Sequence, residues 1–178
     1  MARPQEAEAF EREYPGARWL DVRVMRQIQR AGAQADALIT RVARRYRLSH
    51  AALNALAVIE GAGGPVPAGQ VSAQMHISTA TMTSVLDTLE RNGYIQRQSD
   101  PADRRRVLVD ITPSAQALLD EVLPAVQQLV TATMSPLGEQ TLHTLLDVLT
   151  AANAALDAAP RDLPPPAARR TPPHLRRT

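Results

Sequence analysis

Cysteine is absent from the 178 residues. That excludes disulfides, thiolate metal sites, iron–sulfur clusters and thiol-based redox sensing. Lysine is missing too, so all twenty basic residues are Arg. Aromatics are scarce, with one Trp, three Tyr and one Phe, and the core therefore has to be aliphatic. No apolar run approaches the roughly 18 residues of a membrane span. The opening residues MARPQEAEAFERE hold no apolar h-region. A cytoplasmic protein with no membrane partner is the expectation. The four His (His50, His76, His143, His174) show neither ligand spacing nor an acidic cluster around them. A Gly-rich phosphate loop, a G-x-S-x-G elbow and a Cys nucleophile are all missing. No enzyme, no metal and no cofactor are expected.

What is present is a chain 44% hydrophobic, enough for one ordinary domain with or without a tail. The net charge of +2 hides an uneven distribution. Residues 161–178 hold five Arg against one Asp, which leaves fifteen Arg against seventeen acids in 1–160. The body is thus slightly acidic, and the pI near 9.6 belongs to the tail. Clustering carries more information. Residues 91–106 contain Arg91, Arg97, Arg104, Arg105 and Arg106 against Asp100 and Asp103, and residues 41–47 contain four more Arg.

Apolar residues Leu20, Val24, Ile28, Ala31, Ala35, Leu38 and Val42 recur every three or four positions. They predict one long amphipathic helix from Arg18 to about Tyr46. Ser49 is placed to cap a second helix that stops at Gly61, and Pro67 is placed at the first position of a short third one. Ser78 caps a fourth, with Met82, Val85, Leu86 and Leu89 inward and Asn92-Gly93 at its end. The period then shortens to two. Tyr94–Arg97 and Val107–Ile111 read as strands around a polar, Arg-rich hairpin loop. Thr112-Pro113 restarts a helix, kinked where Pro124 interrupts it, and Leu142, Leu145, Leu146, Leu149 and Leu156 mark the last. Residues 1–17 read as a flexible arm. The five Pro of the last eighteen residues make 160–178 a disordered basic tail.

Helix, turn, capped helix, strand, Arg-rich loop, strand is the order of a winged helix-turn-helix, a mainly α fold with a two- to three-stranded wing. The capped helix turns Ser78, Thr79, Thr81, Thr83, Ser84 and Thr88 outward. Such small hydroxyl side chains suit the major groove of double-stranded DNA. The hairpin places Arg104, Arg105 and Arg106 beside it, against phosphates or a narrow minor groove; Arg91 closes the helix.

Three stretches carry a more specific likeness: Gln70–Ser78, Met82–Ile95, and the wing Asp100-Pro-Ala-Asp-Arg-Arg-Arg-Val-Leu-Val-Asp-Ile-Thr112. Together they resemble the MarR family of bacterial transcriptional regulators, over roughly residues 18–158. The resemblance implies a homodimer, with 18–47 and 113–158 as dimerisation helices and 48–112 as the DNA-binding lobe. It implies a repressor at a pseudo-palindromic operator, with Asp103 orienting a wing Arg. It also implies release by a small aromatic or phenolic effector held between the dimerisation helices and the lobe. Arg18, Trp19, Arg23, Met25 and Leu53 are the residues for such a site here, although Trp19 serves equally well as dimer core. Two positions depart from the pattern. His76 occupies a turn position that favours Gly, and Thr88 stands where many members carry Arg. Two other readings stay open: an architectural DNA-binding protein without an effector, and a protein-interaction module that has lost DNA.

Overall fold

The computed structural model describes residues 4–103 and 105–160. Helices α1 (Pro4–Glu13), α2 (Trp19–Arg45) and α3 (His50–Gly61) come first. Strand β1 (Val66–Pro67), helices α4 (Ala68–Gln74) and α5 (Thr79–Arg91), and strands β2 (Ile95–Ser99) and β3 (Val107–Ile111) follow. Helix α6 (Pro113–Met134), a 3-10 turn at Ser135–Leu137 and α7 (Glu139–Asp157) complete the described chain. It divides into two compact units, one ending at Val130 and one beginning at Thr131.

In the first unit the caps fall where the serines stand. Ser49 Oγ accepts from the Ala52 amide at 3.0 Å, and Ser78 Oγ from the Thr81 amide at 3.1 Å. Each removes one of the orphan donors of a helix start. Thr112 Oγ1 does the same for Ala115 at the start of α6, which runs on through Pro124. The His50 imidazole meets the Asp36 carboxylate and joins α3 to α2.

Three helix ends share one hydrogen-bond pattern. After α2 the Leu48 amide reaches Ala43 O at 3.0 Å and the Arg47 amide reaches Arg44 O at 3.1 Å. The same crossed pair closes α4 at His76-Ile77 and α5 at Gly93-Tyr94. This Schellman closure needs a left-handed residue, and Arg47 (φ 58°), His76 (φ 51°) and Gly93 (φ 74°) supply it. The strain expected at His76 is present, and Arg47 carries the same.

The core is aliphatic. Leu53, Leu56 and Ile59 of α3, Val71 of α4, and Met82, Leu86 and Leu89 of α5 lie buried with Val66, Ile95 and Val109 of the sheet. Val42 and Ala43 of α2 and Ala115, Leu119 and Val122 of α6 enter the same cluster. No break in the core therefore falls at 47 or 112. The sheet order is β1-β3-β2, antiparallel throughout, with Ile95 opposite Ile111 and Val66 opposite Val109.

Several boundaries differ from those expected. Pro67 pairs with Leu108 at the end of β1 and is the N-cap of α4, one place before the first helical position. A proline without an amide proton is tolerated on an edge strand. Strand β2 begins and ends one to two residues later than expected. The arm expected to be flexible contains α1. The Phe10 ring packs 5.0 Å from both Tyr14 and Trp19, so a tertiary aromatic contact organises a segment with no clear periodicity. The expected basic tail lies, beyond Pro160, outside the described residues.

In the second unit, α7 exposes Leu145, Leu146, Val148, Leu149 and Leu156 and buries none of its residues. Gly138, at φ 75°, makes the turn into it. Among the described residues no helix is long and apolar enough to cross a membrane.

Candidate nucleic-acid interface

Helix α5 is held from one side only. Met82, Leu86 and Leu89 seat it in the core, while Ser78, Thr79, Thr81, Thr83 and Ser84 stay exposed and Thr88 is half-buried. The hydroxyls are ordered by the helix itself. Thr83 Oγ1 donates to Thr79 O at 2.9 Å and Thr88 Oγ1 donates to Ser84 O at 3.0 Å. Ser78 and Thr81 share a 2.8 Å hydroxyl–hydroxyl bond. A threonine whose proton goes to its own helix offers the outside an acceptor oxygen and a methyl group. That combination fits the exocyclic amines of adenine or cytosine and the thymine methyl. Arg91 ends the row, its guanidinium donating to Thr88 Oγ1 at 3.2 Å.

The wing is preformed by its two aspartates. Asp100 Oδ1 accepts from the Ala102 amide at 2.8 Å and Asp103 Oδ1 from the Arg105 amide at 3.0 Å, two side-chain-to-backbone turns in succession. Two backbone bonds, Asp100 N to Arg106 O (3.1 Å) and Arg106 N to Asp103 O (2.8 Å), close the loop over the Ser99–Val107 pair. Asp103 thus orients the wing through its backbone. The carboxylate beside a described wing guanidinium is that of Asp100, 3.9 Å from Arg106 Nε. Arg105 and Arg106 stay exposed, and Arg104 lies outside the described residues.

One charged contact beside the interface is only half visible in the sequence pattern. Arg97 of β2 reaches across to α5 and pairs with Asp87 at 2.6 Å and Glu90 at 3.3 Å. It neutralises the only two acids of α5. A signal exists in the i, i+3 spacing of Asp87 and Glu90, but their partner comes from a strand.

The residues expected around an effector do not all converge. Trp19 packs on Phe10, and the Arg23 guanidinium sits 5.6 Å from the centre of its ring. The indole Nε1 is buried without a hydrogen-bond partner. Arg18 pairs with Asp21 at 3.6 Å, and Met25 is exposed on α2. Leu53 is 3% exposed inside the core cluster and is closed to a ligand. Among the described residues no group of His, Cys, Asp and Glu is arranged to hold a metal.

Comparison with known proteins agrees with this geometry. The family model described as "MarR family" matches residues 48–107, from the end of α2 through the wing. YcgE of Bacillus subtilis, an uncharacterized HTH-type transcriptional regulator, is 40% identical over 62 residues, covering 34% of this chain and 40% of its own. NicR of Pseudomonas putida, an HTH-type transcriptional repressor, is 31% identical over 75 residues, covering 42% and 48%. The chain spans about two-fifths of the length of the first curated relatives it matches. The solved structure of BpsR from Bordetella bronchiseptica, a study of DNA-binding regulation by 6-hydroxynicotinic acid, superimposes with a TM-score of 0.66 at 25% identity. That match covers 77% of this chain and 94% of that one. These relatives are regulators rather than enzymes. The match to the MarR family model thus falls on the helix pair and wing of the winged helix-turn-helix.

Proposed function

We propose that the chain is a cytoplasmic, homodimeric DNA-binding regulator that represses transcription from a pseudo-palindromic operator. The observation that carries this reading is the exposed hydroxyl face of α5 beside a wing that holds Arg105 and Arg106 out from two aspartate-built turns. Helix α5 reads bases in the major groove, and the wing supplies charge to the backbone or minor groove. The naming of NicR as a repressor supports repression. The exposed apolar residues of α2 and α7 support a dimer. Two copies related by a two-fold axis read two half-sites about one helical turn apart.

A small aromatic acid as effector is supported by the ligand in the BpsR study and by the pairing of Trp19 with Arg23. It acts by favouring one spacing of the two α5 helices over another.

Selection of binding sequences from a random duplex pool, followed by footprinting, tests the reading. A single protected inverted repeat is expected. Diffuse protection would indicate an architectural protein, and no protection would remove DNA altogether.

A further inference from the structure

The first half of α5, residues 79–84, has no side chain with an N–H group. The one side chain of α5 that has them is Arg91, at the last helical position, where it donates to Thr88 Oγ1. Away from the buried Met82, Leu86 and Leu89 stand Ala80, Thr83, Ser84 and Asp87, all exposed. The Thr83 hydroxyl proton goes to Thr79 O at 2.9 Å, so outward its oxygen can only accept, beside its γ-methyl. Asp87 is an acceptor as well, its charge balanced by Arg97 at 2.6 Å. Ala80 lies three residues before Thr83, a spacing that brings Cβ atoms to about 5–6 Å, so the two methyl groups are neighbours. In helix-turn-helix docking the N-terminal residues of the second helix meet the base edges. The acceptor-and-methyl face therefore lies on the part of α5 that meets bases.

We propose that the Ala80–Thr83 face of α5 selects an A·T pair in each half-site, packing the thymine methyl against the Ala80 and Thr83 methyls and accepting the adenine N6 amine on Thr83 Oγ1. The inference rests on α5 being the base-reading helix. Guanine turns two acceptors, N7 and O6, to the major groove and is read by paired donors such as those of Arg. Against Thr83 Oγ1 and the Asp87 carboxylate, that edge sets acceptor on acceptor. Cytosine offers an amine but no methyl, so it satisfies the oxygen and leaves both protein methyls uncovered. The A·T pair alone among the natural pairs carries an amine and a methyl together. The Ser84 hydroxyl does not alter this choice, because a single donor meets adenine N7, thymine O4 or a guanine acceptor alike. The wing contributes charge, which carries no such preference.

Duplexes enriched from a random pool by the full-length protein test it, with each thymine of a half-site replaced in turn by uracil, which removes the methyl alone. One position per half-site is expected to lose affinity about fourfold, the worth of one buried methyl group. Replacing the paired adenine by purine, which lacks the N6 amine, should cost about fivefold, the worth of one neutral hydrogen bond. Thr83→Ser keeps the hydroxyl and removes the methyl. It should bind the thymine duplex about fourfold more weakly and be indifferent to uracil at that position. Thr83→Val keeps the methyl and removes the acceptor, so it should stay sensitive to uracil and become indifferent to purine. Uracil sensitivity kept in full by Thr83→Ser overturns the proposal, as does purine sensitivity kept in full by Thr83→Val. A half-site in which no uracil substitution matters overturns this inference alone, since an enriched sequence still shows base reading. Failure to enrich any sequence overturns the base-reading role of α5 and this inference with it.

Discussion

His76 and Gly93 close their helices with the same pair of crossed hydrogen bonds, but only glycine does so without steric cost. A side chain in the left-handed region costs roughly 1–2 kcal/mol, and glycine gives back about 0.5–1 kcal/mol of that through the entropy of the unfolded chain. His76→Gly should therefore stabilise the protein by about 0.5–1 kcal/mol in urea unfolding. A loss of stability would mean that the exposed imidazole contributes more than its backbone costs. A second contrast separates Thr83 from Arg105. Thr83 has its hydroxyl proton committed to Thr79 O and presents an acceptor and a methyl, which carry base information. Arg105 presents charge, which does not. Thr83→Ala is expected to cost roughly 1–3 kcal/mol on the selected operator and almost nothing on random duplex. Arg105→Ala should weaken both duplexes alike and, by removing one phosphate-neutralising charge, lower the salt slope by about one unit. Titrations at several salt concentrations distinguish them, and the opposite pattern would mean the two roles are reversed.

Arg97 of β2 adds a charged tie between the wing and helix α5 to the core that the two share. Its guanidinium sits between Asp87 and Glu90, so removing it loosens β2 from α5 and uncovers two negative charges on the helix that would face DNA. Arg97→Ala is expected to lower stability by about 1 kcal/mol, the scale of a partly exposed pair. It should weaken DNA binding on every sequence, and Asp87→Asn in the same chain should restore part of the affinity. Unfolding and gel-shift titrations of the single and double variants check this; affinity unchanged in Arg97→Ala would show that the two acids lie away from the phosphates. These elements also show what can be read before folding. Ser49, Ser78 and the alternation through Val107–Ile111 act on their own neighbours, so caps and strand β3 are legible in the sequence. Arg97, β1 and α1 are not. A two-residue strand has no pattern of its own and exists because β3 has an open edge for Val66 and Pro67. Helix α1 depends on Phe10 meeting Trp19, and an arginine between two acids of another element leaves no local trace. The roles of the wing aspartates are half legible: the resemblance names Asp103 as the partner of a wing Arg, whereas Asp103 bonds backbone and Asp100 stands by Arg106.

The proposed dimer rests on the surface of the whole chain. Leu20 and Leu146 are each 63% exposed, and Val24 on α2 and Leu145, Leu149 and Leu156 on α7 are exposed beside them at helical spacing. Exposed apolar rows of that length mark an interface. A two-fold dimer covers the same rows on both copies at once and so leaves no open edge to propagate. The protein should therefore elute from size exclusion with light scattering at twice its 19.3 kDa chain mass at micromolar concentration. Leu146→Asp places an unpaired charge in the seam, where its desolvation opposes association by several kcal/mol. It should yield monomer or an unfolded chain, whereas Gln140→Glu, an added carboxylate at an exposed position on the opposite side of α7, should leave the dimer intact. The consequence reaches DNA, because two joined lobes bind two half-sites with the second binding event made intramolecular. Any folded Leu146→Asp monomer should accordingly keep weak, salt-sensitive binding and lose its preference for an inverted repeat over a single half-site. A wild-type protein that is monomeric at micromolar concentration, or a Leu146→Asp dimer with unchanged operator preference, would show that α7 serves another purpose.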